Sequence, residues 1–247
     1  MQLPRPGRPT LKALALLLAA LLLFTIAMRL HAPPAPDSPG TAHRDGWLLL
    51  HAFEVLGVLV FALTVAHARR RWGDAVVLGF FPPMVAYAFV FEDVNIQVSG
   101  IYTYNREAWL VVHNTMVVIP LGWCAIVYVV VLTLESSGRA RAATPVQKGL
   151  LAGGMALSID LGIDATAFAY GMWVWERGSW FGVPMMNFAG WFVVVFLWVT
   201  LRSRVAAKGL PPRKEAAQTW AATLVAIGAQ YPIYGAFILF FRLWGVD

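Results

Sequence analysis

The chain of 247 residues is 59% hydrophobic and only 13% charged, with a mean hydropathy of +0.65. This composition excludes an ordinary soluble protein, because long uncharged apolar runs are typical of membrane spans. The formal net charge of +6 is explained by basic loops, so we expect no nucleic-acid partner.

Seven apolar runs predict an all-α, polytopic membrane protein, since a backbone in lipid must satisfy its own hydrogen bonds. No connecting segment is long enough for a soluble domain, so residues 1–247 are expected to form a single transmembrane domain. It divides into a first helix with a Pro-rich outer loop, 1–45, and a helical core, 46–242. The predicted spans are 11–30, 46–67, 74–93, 108–134, 147–170, 184–201 and 217–241.

The basic residues predict the orientation. With the N-terminus inside, fourteen of the 19 lysines and arginines fall in inner segments, and every inner segment holds more of them than any outer one. The positive-inside rule therefore predicts a cytoplasmic N-terminus and an outer C-terminus. The first run, Ala13 to Met28, is longer than a usual signal-peptide core and lacks a clear cleavage site, so we interpret it as a span.

Several ionisable side chains in the second to fourth predicted spans fall in the outer halves. His51 and Glu54 share a helix face in the second span, Glu92 ends the third, and His113 opens the fourth. A polar and aromatic hinge that contains Tyr102 follows the third span. Intramembrane ionisable groups are expensive, so these residues are candidates for a functional site.

The stretch with the most candidate functional residues runs from the fifth to the sixth span. Asp160 and Asp164 are four residues apart, so a helix places them on one face beside small residues. Trp173 and Trp175 follow in a hinge, and Asn187 opens the next apolar run. We interpret this stretch as the wall of a pocket. The alternative is that small residues only let helices pack closely and the acids bond to neighbouring backbone.

An internal spacing repeats in the chain. Glu92 precedes Gly122 and Trp123 by the same offsets at which Asp160 precedes Gly190 and Trp191. In each unit an acidic residue is followed by an aromatic hinge, a proline and a Gly-Trp pair. This order is expected for a parallel repeat. Two helical hairpins would then bring acids to the same depth.

This residue set fits proton chemistry on an apolar substrate. A carboxylic acid in a low-dielectric pocket can stay protonated and donate, while a second carboxylate stabilises a cation or takes a proton from water. Aromatic faces can hold a carbocation by cation–π attraction. A metal site of His51, Glu54, His113 and the aspartates is the rival interpretation, although no HExxH motif is present.

The fifth and sixth spans resemble the membrane carotenoid-biosynthesis proteins that include the CruF-type carotenoid hydratases. Three matching elements carry the resemblance: Asp-Leu-x-x-Asp, Gly-x-Trp-x-Trp, and Gly-Val-Pro-x-x-Asn-Phe-x-Gly-Trp. The Tyr-x-Tyr hinge after Glu92 and the IPLGW run at 119–123 are also similar. In this chain the three elements begin at Asp160, Gly171 and Gly182.

The resemblance implies a cofactor-independent hydro-lyase in the bacterial inner membrane that adds water to a terminal double bond of a linear carotenoid. We expect the catalytic residues to be Asp160, Asp164, Glu92 and Asn187. The residues expected to bind substrate are Tyr102, Tyr104, Trp173, Trp175, His113 and Glu54.

Expected partners are a lipid-soluble polyisoprenoid, membrane lipid and other carotenoid-pathway enzymes, with no metal. A non-redox terpenoid cyclase, a membrane metalloenzyme and a carotenoid-binding or assembly protein stay open as alternatives.

Overall fold

The computed structural model describes residues 44–100, 102–176 and 178–244, in which the chain is predominantly helical. The helices of these described residues are α1 (Arg44–Trp72), α2 (Asp74–Ser99), α3 (Val118–Ser136), α4 (Gly138–Ala142), α5 (Pro145–Ala169), α6 (Met185–Ala206) and α7 (Pro212–Trp244). The strands are β1 (Tyr102–Tyr104), β2 (Val111–Val112), β3 (Thr115–Met116) and β4 (Trp173–Trp175).

Six helices in the described part of the chain, all except α4, are long and apolar enough to cross a membrane. They correspond to the second to seventh predicted spans, which confirms an all-α membrane protein. The first predicted span, 11–30, lies outside the described residues.

Two predicted boundaries differ most from the structure. The fourth span was expected from residue 108, but α3 begins at Val118 and the preceding residues form the β2–β3 hairpin around a turn at His113, where φ is +56°. Short apolar runs of valine fit strands as well as helices, so hydropathy alone does not separate them. The third span was expected to end at residue 93, but α2 continues to Ser99 and ends at Gly100, whose left-handed φ of +62° caps it.

Glycines set the distance between α5 and α6. A Cβ at Gly149 would lie 2.7 Å from the Phe196 carbonyl oxygen, and one at Gly153 would lie 2.8 Å from the Phe192 carbonyl oxygen. Because small residues let membrane helices approach closely, this contact fixes the position of α5 and its two aspartates. The small residues of α5 therefore allow close helix packing, which is one of the two interpretations drawn from the sequence.

The two hinges contact each other. Strands β1 and β4 pair antiparallel, with Tyr102 opposite Trp175 and Tyr104 opposite Trp173. At the start of the helices that follow, Trp123 of α3 stacks on Trp191 of α6 at a centroid distance of 3.7 Å. The two segments that share a spacing in the sequence thus meet, and they enclose the space between their acids.

The orientation across the membrane stays a prediction, and the α3–α5 and α5–α6 connections allow it to be tested. A reporter fused after Gly138 should report the cytoplasm, because Arg139 and Arg141 lie in that connection and Lys148 lies in the first turn of α5. A reporter fused after Gly178 should report the outer side. The opposite pair of results would contradict the orientation derived from the basic residues.

Candidate active site

A cavity of about 90 Å³ lies where five helices and the β1–β4 pair meet, and we call it the acid cavity. Glu92 from α2, Asp164 from α5 and Asn187 from α6 line it. The rest of its wall is aromatic or aliphatic apart from one glycine. These other wall residues are Phe53, Tyr102, Tyr104, Ile119, Gly122, Trp123, Ile126, Ile163, Trp173, Trp175 and Trp191.

Glu92 is buried and accepts three side-chain hydrogen bonds. The hydroxyls of Tyr102 and Tyr104 donate to its Oε2 at 2.5 and 2.7 Å, and Trp123 Nε1 donates to its Oε1 at 2.7 Å. Hydrogen bonds to a carboxylate favour its charged form. The three donors therefore hold the Glu92 carboxyl group in one orientation and offset part of the cost of burying its charge.

The two tyrosines lie in the hinge, outside the membrane-spanning helices. Burial raises the pKa of the Tyr102 and Tyr104 hydroxyls well above the ordinary tyrosine value, and the neighbouring Glu92 carboxyl raises it further. Both hydroxyls consequently stay protonated and remain hydrogen-bond donors to Glu92.

Asp160 and Asp164 share one amide group. Asn187 Nδ2 donates to Asp160 Oδ2 at 3.0 Å and also to Asp164 Oδ2. The shared amide group therefore brings the two carboxyl groups close together. Two adjacent buried carboxyl groups do not both ionise easily, so the arrangement suits a pair that holds one proton.

The two aspartates differ in access to the acid cavity. Asp164 lines the cavity, whereas Asp160 has no exposed surface and lies one helical turn behind it. Asp160 Oδ1 has no hydrogen-bond partner in the described part of the chain. Only Asp164 of this pair can therefore reach a molecule in the cavity directly.

Aromatic rings cover the acid groups. Trp175 lies 4.4 Å from Tyr102 between ring centroids, and Trp173 meets Tyr104 and Phe53 edge to face at 6.0 Å each. Ring faces attract cations, and more strongly where water is excluded. The cavity thus combines acid groups with surfaces that stabilise positive charge.

Glu54 and His113 were expected to bind substrate, but neither lines the acid cavity. Glu54 accepts hydrogen bonds from the backbone N–H groups of Trp109 and Leu110, both at 3.1 Å. His113 Nδ1 lies 2.8 Å from Asp93 Oδ1. These contacts attach the loop that contains Trp109 and Leu110 to α1, and the β2–β3 hairpin to α2.

The groups of the metal hypothesis form separate pairs. His51 Nδ1 lies 2.9 Å from Glu54 Oε2, while His113 contacts Asp93. Within the residues that the structure describes, no three His, Cys, Asp or Glu side chains converge to hold a metal ion.

Several cavity residues were absent from the predicted site. Trp123 and Trp191 line the cavity, and the repeated Gly-Trp spacing was the signal that pointed to them. Phe53 and Ile163 also line it, but single apolar residues in apolar spans carry no signal that separates them from lipid-facing or core positions.

Comparison with known proteins identifies a family. A family model described as carotenoid biosynthesis protein matches residues 50–245. No curated protein and no solved structure is significantly similar to the chain. The matched range includes every residue that lines the acid cavity.

Proposed function

The chain belongs to the carotenoid biosynthesis protein family, and from that membership we propose that it is a membrane carotenoid hydratase. The reaction adds water across a terminal C=C bond of a linear carotenoid and yields a tertiary alcohol. The protein would thus be a hydro-lyase. Water is the only co-reactant, and no electrons are transferred, so the overall chemistry needs no redox cofactor.

One observation carries the proposal: Asp164 and Glu92, from different helices, line the same apolar and aromatic cavity. Buried acids in a membrane span cost roughly 2.5–3.5 kcal/mol each on insertion scales. Pairs of acids in unequal surroundings commonly divide into a proton donor and a charged partner. We assign the donor role to the Asp160–Asp164 pair and the charge to Glu92.

The first step is protonation of the alkene. Asp164 transfers the proton of the aspartate pair to the less substituted carbon of the terminal double bond, and the π electrons form the new C–H bond. Positive charge develops on the tertiary carbon. The Glu92 carboxylate, fixed by three donors, stabilises this charge. The faces of Trp173 and Trp175 add cation–π attraction.

The second step is capture of the cation by water. Asn187 orients the water through its side-chain oxygen while its Nδ2 group holds both aspartates. The water oxygen bonds to the tertiary carbon, and the proton that it releases returns to the aspartate pair. The pair regains its proton, so the net change is one water added to the substrate.

The test is the product mass after expression in a host that accumulates a linear carotenoid. Hydration predicts a gain of one water for each modified end. A terpenoid cyclase would use the same protonation but close a ring, which gives an isomer of unchanged mass. That isomer, or unchanged substrate in cells with correctly inserted protein, would contradict the hydratase.

A further inference from the structure

The acid cavity has an apolar side with partial exposure. The half-buried residues of its wall are the apolar Phe53 of α1, Gly122 and Ile126 of α3 and Ile163 of α5, and the polar Tyr104 and Asn187. Glu92 and Trp123 are buried. We call the four apolar half-buried residues the mouth. The cavity therefore has a partly open apolar wall, while the Glu92 carboxyl group is buried.

The mouth lies within the membrane-spanning helices. At a rise of 1.5 Å per residue, its four residues are roughly 6–14 Å inside the ends of their helices. An opening at that depth faces hydrocarbon. A water-soluble ligand would have to leave water to reach it, whereas an apolar chain dissolved in the bilayer is already there.

The size of the acid cavity limits what it encloses. Pockets that enclose drug-sized ligands measure roughly 300–1,000 Å³, and this cavity measures about 90 Å³. The cavity can accept the end of a long isoprenoid, but not the whole molecule. The rest of a bound chain must leave through the mouth.

We propose that the mouth is a binding subsite for the polyene chain next to the reacting end, with Gly122 as its specificity-determining residue. Apart from its two chain neighbours and the nearby α3 backbone, no atom of the residues that the structure describes lies within 4 Å of the position that a Cβ at Gly122 would take. Gly122 thus leaves a gap on the face of α3 that carries Ile119 and Ile126. This inference rests on the proposed function for the identity of the chain.

The subsite is tested with Gly122→Ala, Gly122→Leu and Gly122→Phe. The matched control is Gly154→Phe on α5, since Gly154 also faces open space but does not line the cavity. Two substrates are compared, a full-length linear carotenoid and a short acyclic alkene with the same terminal double bond. Binding of the carotenoid is measured separately, by quenching of tryptophan fluorescence in the detergent-solubilised protein.

We expect kcat/KM for the carotenoid to fall stepwise with side-chain size, by about tenfold or more in Gly122→Phe, as steric changes in an apolar pocket commonly cost. Carotenoid binding should weaken in parallel. Turnover of the short alkene should fall clearly less than turnover of the carotenoid in each Gly122 variant, and Gly154→Phe should resemble the wild type with both substrates.

Equal losses for both substrates, or full retention of carotenoid binding in Gly122→Phe, would overturn the subsite. A different result would contradict the proposed function. A wild-type protein that binds the carotenoid and forms no hydrated product contradicts the hydratase, while size-dependent weakening of binding in the Gly122 series would still support the subsite. A wild-type protein that does not bind the carotenoid contradicts the subsite itself.

Discussion

Asp164→Asn should reduce turnover of a linear carotenoid by at least about a hundredfold, because general acid–base groups typically contribute 10²- to 10⁴-fold. Asparagine keeps the size of the side chain but cannot deliver the proton. Asp160→Asn should cause a similar loss, since Asp160 shares Asn187 with Asp164 and belongs to the group that holds the proton. The measurement is turnover normalised to monodisperse protein.

Asp93→Asn is the matched control for this prediction. Asp93 is also a carboxylate in a predicted span, but it contacts His113 and Gln97 and does not line the acid cavity. Its variant should lose activity only in step with folded protein. If both Asp160→Asn and Asp164→Asn keep more than about a tenth of wild-type turnover, the aspartates are not the acid–base pair.

Glu92→Gln should have the second large effect, again at least about a hundredfold in turnover, comparable with the loss of a preorganised electrostatic group. The amide keeps the shape of the side chain but carries no negative charge beside the cation. It also places an NH₂ group among three donors, and one unsatisfied buried donor costs about 1–3 kcal/mol. We therefore expect a lower unfolding temperature as well as lower turnover.

Tyr104→Phe separates these two effects. It removes one of the three donors and leaves the Glu92 carboxylate in place, so its loss of turnover should be smaller than that of Glu92→Gln. If Glu92→Gln loses stability but keeps its turnover per folded molecule, Glu92 has a structural role only, and the charge that stabilises the cation must come from another group.

The sequence predicted the spans well because hydropathy over about 20 residues is a strong signal. It failed near residues 108–117, where apolar strands and an apolar helix have similar composition. The end of α2 was also misjudged, since Asn95 and Gln97 made the segment look like a loop although Gly100 ends the helix. Tertiary contacts to Glu54 and Asp93 hold this region, and no local pattern encodes them.

Part of the candidate site could be predicted because charged groups are rare in spans. Asp164 and Glu92 were chosen on that ground, and they line one cavity together with Asn187, which was chosen as a polar residue at the start of an apolar run. The same reasoning also selected Glu54 and His113. The rarity of ionisable groups in spans does not distinguish a residue in a catalytic site from one that holds a loop in place. The different access of Asp160 and Asp164 depends on helix rotation, which the spacing of four residues leaves open.

The most direct test of the account is the source and number of oxygen atoms in the product. Purified protein is incubated with a linear carotenoid in water enriched in oxygen-18, and the product is analysed by mass spectrometry. The account predicts one oxygen-18 atom per modified end with the wild-type protein, and a loss of this product in Asp164→Asn. A product of unchanged mass, or a product oxygen that does not come from water, would contradict hydration at the acid cavity.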